Sequence, residues 1–93
     1  MKEMDKVIVT VVGKDKVGII AAVTASLAKE NVNILDISQT IMQEFFTMIM
    51  ICDMSQSDVD LSTLKERMDA EGKRIGVKIT VQHEQVFEFM HRI

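Results

Sequence analysis

The chain contains no tryptophan and no tyrosine, a single cysteine and no proline, and no run of about 18 apolar residues that could span a bilayer. Most of these gaps remove a class of function. With only four Phe as aromatics, the strands offer no platform on which exposed bases could stack. The eleven basic residues are scattered and the net charge is -3, so the counterion release that drives nucleic-acid binding has no basic cluster to work through. Nucleic acid is not an expected partner. Cys52, being alone, allows neither an internal disulfide nor a C-x-x-C motif. Within the apolar run "FFTMIMIC" it reads as a buried, inert thiol. The charged start "MKEMDK" and the short apolar run behind it lack a secretory pattern. The expectation is a cytoplasmic protein with no membrane partner.

What is present describes one small globular domain. The 93 residues are 47% apolar and 27% charged, a globular composition. A chain of this size buries only roughly 60–70% of its unfolded surface, so a partner chain would add needed stability.

The pattern "KVIVTVV" (6–12) is a strand closed by Gly13. From Val17 to Lys29 the period changes, with Ile20, Val23, Thr24 and Leu27 on one helical face and Asn31 and Asn33 marking the end. Residues 32–41 alternate as an edge strand, Leu35, Ile37 and Ile41 on one side. Residues 45–54 are apolar on both faces, as a central strand would be, and the short link at Gln43 and Glu44 predicts a hairpin. Asp58 or Asp60 caps a second helix carrying Leu61, Leu64, Met68 and Ile75, weakened by Gly72 and ended at Gly76. Residues 77–84 alternate again, with Val77, Ile79 and Val81 inward. The order β-α-β-β-α-β predicts an α+β, ferredoxin-like sandwich, a four-stranded antiparallel sheet with two helices on one face. Residues 1–84 form the domain and 85–93 a short helical tail.

Helices cover one face of such a sheet, and the other should be polar in a monomer. Here that open face would carry Ile8, Thr10 and Val12 beside Phe45, Thr47, Ile49 and Ile51. Its margins are Asp36, Ser38 and Thr40 on one side and Lys78, Thr80 and Gln82 on the other. An apolar strip with a polar rim is built like an interface. The tail could cover it through Val86, Phe89, Met90 and Ile93, but is too short to cover two strands. A homodimer, or a higher homo-oligomer, whose interface includes the tail is therefore expected.

The stretch "GKDKVGII" (13–20) joins the first strand to the first helix. Gly13 would let the chain leave the strand, Asp15 would cap the helix, and Gly18 would allow close approach to the first turn. The amides of that turn and the helix dipole favour an anion by roughly 0.3–1 kcal/mol, and Lys14 and Lys16 add positive charge. A carboxylate is a guest of suitable size. The plainer alternative, a cap and two turn glycines with no ligand, stands beside it. The loop is neither a Walker loop nor a dinucleotide fingerprint, and no cofactor is implied.

The set Gly13, Asp15, Gly18, Ile19, Val32, Asn33 and Ile34, in "VTVVGKDKVGIIAAVTASLAKENVNILDISQTI", resembles the first half of an ACT domain. The later hairpin, second helix and "GVKITVQHE" extend the likeness to the small free-standing single-domain ACT proteins. That resemblance implies a regulatory module, without catalytic activity of its own, that binds an amino acid or other small metabolite between two copies. It implies a site formed by Gly13, Lys14, Asp15, Lys16, Val17, Gly18, Ile19 and Asn33, and a regulated enzyme as a further partner. Two departures bear on the ligand. Lys16 and Val17 stand where many members have Arg-Pro, and Asp15 where some have Asn, which repels a carboxylate but accepts from an ammonium group.

Three rivals compete. Acyl-phosphate hydrolysis on this topology needs an arginine in the loop, and the arginines are Arg67, Arg74 and Arg92. Metal binding would draw on His83, Glu84, Glu88 and His91, which read better as solvated surface groups. The third is a protein-binding regulatory subunit with no small-molecule ligand.

Overall fold

The computed structural model describes residues 4–14 and 17–90, the side chains of residues 89 and 90 excepted. Its elements are β1 (Lys6–Lys14), α1 (Ile19–Lys29), β2 (Asn33–Met42), β3 (Phe45–Asp53), α2 (Leu61–Ile75), β4 (Val77–His83) and α3 (Glu84–Met90). The four strands form one antiparallel sheet in the order β2-β3-β1-β4, the predicted ferredoxin-like arrangement with its two most apolar strands in the middle. No helix among the described residues is long and apolar enough to cross a membrane.

Alternation decides which side chains meet the helices. Val7, Val9 and Val11 of β1, Phe46, Met48, Met50 and Cys52 of β3, and Val77, Ile79 and Val81 of β4 are buried, with Val23, Leu27, Leu64 and Met68 closing the core above them. Each such side chain contributes roughly 1.5–3 kcal/mol by leaving water. Cys52 belongs to this core, as expected, and burial pushes its thiol up to about 11.

The opposite face has the composition read from the sequence. Registers place Ile8 beside Ile51 and Gln82, Thr10 beside Ile49 and Thr80, and Val12 beside Thr47 and Lys78, with Asp36, Ser38 and Thr40 along the β2 margin.

Several local expectations are corrected. Gly13 does not end β1 but pairs within it, opposite Phe46 and Val77. A Cβ there would stand 2.7 Å from Val77 Cγ1, so the glycine serves contact with Val77 and not an exit from the strand. Helix α1 starts at Ile19 rather than Val17, and its buried stripe is Ile19, Val23 and Leu27. Ile20 is exposed, and the Thr24 hydroxyl donates to the Ile20 carbonyl (2.8 Å). In β2 a bulge falls between Ile34 and Asp36. Leu35 is the extra residue, so Ile34, Ile37 and Ile41, not Leu35, share the helix side.

Of the two candidate caps for α2, Asp60 is the one used, accepting from the Thr63 amide (2.8 Å). The helix stops at Gly76 in a left-handed conformation (φ 82), as expected. Gly72 has a reason the sequence did not show: a Cβ there would lie 2.6 Å from the Val77 carbonyl oxygen. The tail continues directly from β4 as α3. It packs on β1 and β4, with Phe87 half-buried and Val86 exposed, so Val86 does not face inward as the helical-face reading had it. Ile93 lies outside the described residues.

Candidate functional site

Between β1 and α1 the chain passes from Lys14, exposed at the end of the strand, to Val17, fully exposed at 104%. Asp15 and Lys16 lie outside the described residues. Gly18 then occupies the N-cap position with φ 93, a left-handed conformation, and among the described residues no side chain caps the helix. The expected cap by Asp15 falls on a residue outside those described. Within the chain nothing crowds Gly18, since a Cβ there would meet nothing within 4 Å. Its φ is what favours glycine, since a side chain in this region costs roughly 1–2 kcal/mol. The first intrahelical bond among the described residues runs from Ala22 N–H to the Gly18 carbonyl (2.9 Å), and the amides of Ile19 to Ala21 lie at the end of the helix where α-helical geometry supplies no intrahelical acceptor. Ile19 is buried and anchors this turn.

Asn33 sits at the other end of the same helix. It opens β2 and pairs opposite Asp53, whereas Gly13 pairs opposite Phe46. The strand between Phe46 and Asp53 separates the two by about 23 Å. Within one chain the loop residues and Asn33 therefore do not meet.

The junction holding Asn33 is braced by residues that the sequence reading did not single out. Glu30 follows α1, is 6% exposed, and accepts from Arg67 of α2 in an ion pair. Its carbonyl accepts from the Asp58 amide (3.1 Å). Asn31 takes a left-handed φ of 63 and donates from Nδ2 to the Gln56 carbonyl (3.2 Å). One signal was available: Glu30 continues the buried spacing of Ile19, Val23 and Leu27.

A groove of about 560 Å³ runs along α1, lined by Ala21, Thr24, Ala25, Ala28, Val32, Asn33 and Ile34. A second concavity, about 420 Å³, lies between the helices, lined by Ser26, Lys29, Glu30, Arg67, Glu71 and Arg74 among others. Two of its three cations are committed, Arg67 to Glu30 and Arg74 to Glu71. It is an interhelical ion-pair network remote from the α1 start. The groove along α1 is apolar, floored by small residues, and ends at Asn33.

Among the described residues the candidate metal ligands do not form a metal-holding group. His83 Nε2 is 3.2 Å from Asp5 Oδ1, and its Nδ1 accepts from the Gln85 amide (3.2 Å). Among the described residues no group of three or more His, Cys, Asp or Glu is placed to hold a metal ion. His91 lies outside them.

Comparison with known proteins follows the same lines. Residues 5–82 match the family model described as "ACT domain". A UPF0237 protein of Methanosarcina acetivorans is 57% identical over 86 residues, covering 92% of this chain and 94% of its own. One of Methanocaldococcus jannaschii is 50% identical over 90 residues, covering 97% and 100%. Among solved structures, an ACT domain protein from Streptococcus pneumoniae superposes with a TM-score of 0.81 at 42% identity, covering 92% of this chain and 97% of that one. ACT domains are regulatory modules that bind small ligands and commonly oligomerise. With its fold, the glycine-led start of α1 and a match running through nearly the whole sheet, this chain belongs to the ACT domain family.

Proposed function

We propose that the protein is a cytoplasmic, non-enzymatic regulatory module that binds a small metabolite, an amino acid above all, at an interface between two copies of the chain. The observation that carries this reading is the start of α1. Gly18 holds it in a left-handed turn with no capping side chain among the described residues, beside a fully exposed Val17, a geometry that offers its first amides to a carboxylate. Lys14 supplies nearby positive charge, and Lys16 and Asp15 complete the loop in sequence. An ammonium group would find its acceptor in Asp15.

The distance between this loop and Asn33 favours a shared site. Two β2 edges paired antiparallel about a two-fold axis would bring Asn33 of one copy to the α1 start of the other. The surface flanking that edge suits such a joint: Ile37, Ile41 and Ile20 are 41%, 55% and 38% exposed. Exposed apolar residues in a row beside an unpaired strand mark an association surface.

The test is thermal unfolding of the full chain in the presence of each common amino acid. A ligand at a hundred times its dissociation constant adds about 2.7 kcal/mol. Asn33→Ala removes that gain while leaving the unliganded transition in place. If no amino acid or related metabolite raises the transition of the parent protein, the reading passes to a regulatory subunit recognised by a protein partner alone.

A further inference from the structure

The open face of the sheet is covered at one end only. Ile8 is 5% exposed, whereas Val12, on the same face of the same strand, is 43% exposed, with Phe45 at 49% and Ile49 at 39%. Helix α3 packs on β1 and β4 and accounts for the difference. Its seven residues reach about 10 Å, while the nine residues of β1 reach about 30 Å. The half of the face near Val12 is left bare.

Shape limits what can close that gap. A flat surface cannot approach the bare half, because α3 stands about 10 Å proud of the sheet beside it. A helix of the same thickness fits. The charges choose which helix. Between Glu84 and Met90 the tail carries Glu84 and Glu88 and no basic residue, and the bare half is flanked by Lys14 and by Lys78, which pairs opposite Val12. Val86 of α3 is 50% exposed, an apolar side chain with nothing of its own chain to cover it fully.

From this complementarity we infer that a second copy of the chain docks on the open face, with α3 of each copy seated on the bare half of the other's sheet. A two-fold axis perpendicular to the strands satisfies all of these terms at once. It lays β1 and β4 of the two copies over one another with their ends reversed, so the covered end of one meets the bare end of the other. Val86, on one flank of α3, then packs toward Val12, and Glu88, exposed on the other flank, faces Lys14 and Lys78. This contact is separate from the β2 edge and does not depend on the proposed ligand site.

The test is a charge swap read by light scattering over a dilution series of the full chain, with circular dichroism to confirm that each variant folds. Val12→Arg should halve the particle mass. Lys78→Glu and Glu88→Lys should each raise the dissociation constant about tenfold, since like charges then face one another across the contact. The double variant Lys78→Glu/Glu88→Lys should return it to within about threefold of the parent. A parent that is monomeric at micromolar concentration overturns the inference. So does a Val12→Arg variant of unchanged mass, or a double variant no tighter than the singles. If Ile37→Arg on the β2 edge halves the mass and Val12→Arg does not, the open-face contact is refuted while the ligand-site reading stands.

Discussion

Replacing Gly72 by alanine should destabilise the protein, although the same change in an exposed helix stabilises by about 1 kcal/mol. Gly72 lies in α2 where the helix crosses the start of β4. An added Cβ would stand 2.6 Å from the Val77 carbonyl oxygen and 3.2 Å from Ile79 Cγ1, against an ordinary contact of 3.4 Å or more. The helix would have to withdraw by about 0.8 Å, the difference between 3.4 and 2.6 Å. It is not free to do so, because Gly76 alone links the end of α2 at Ile75 to Val77, the first residue of β4. Overpacking of a close-packed contact costs roughly 1–3 kcal/mol. A backbone obstacle belongs to the upper part of that range, so after the propensity gain the net loss is about 1–2 kcal/mol. Urea unfolding at one fixed protein concentration measures it, with concentration held because association adds to apparent stability. The Val77→Ala background sharpens the result: it should relieve Gly13→Ala, which meets the Val77 side chain, and should not relieve Gly72→Ala, which meets backbone. A Gly72→Ala protein more stable than its parent refutes the reasoning.

Further outcomes follow from other positions. Gly18→Ala should lower stability by about 1 kcal/mol through backbone strain alone, and an unchanged midpoint in urea would contradict the left-handed assignment. The Asp53 carboxylate, accepting from the Ser55 and Asp5 amides, and the Asp60 carboxylate, accepting from the Thr63 amide, are held below the usual carboxylate range. Their folded values lie below their unfolded ones, so the stability they contribute is present above about pH 4. It is lost as pH falls through the depressed folded values. Asp53→Asn should therefore flatten the acid side of the stability profile, and an identical profile in thermal melts from neutral to strongly acid solution would count against those bonds. Cys52, buried and with its thiol pushed up to about 11, should react with a disulfide reagent only as fast as the protein opens. Complete modification of the folded protein within seconds would place it at the surface.

The sequence carried the element order well because each period is local: the switch from two to 3.6 at α1, the apolar run of β3, the glycine at the end of α2. The open face was readable for the same reason, since Thr10 in β1 and Thr47 in β3 each mark one side of a strand and alternation assigns the rest. What escaped depends on distant partners. Glycine in a strand reads as a breaker, and only Val77, far along the chain, gives Gly13 its place within β1. The pairing of Glu30 with Arg67 spans 37 residues and leaves no local trace. The bulge at Leu35 shifts alternation without changing composition, so Leu35 and Ile34 exchange roles unannounced. At the candidate site the helix between Gly18 and Asn33 was legible from its period, whereas the distance between Gly13 and Asn33 follows from the strand registers of the folded sheet.

The extra residue in β2 also bears on how this edge of the sheet can meet another strand. An outermost strand with an even row of amides and carbonyls can recruit further strands without end, the first step towards fibrils. At Leu35 that row is interrupted and the backbone bends, so a neighbouring strand can zip along the stretch from Asp36 to Met42 and no farther. The bulge thereby shortens the regular stretch on which a foreign strand could be templated.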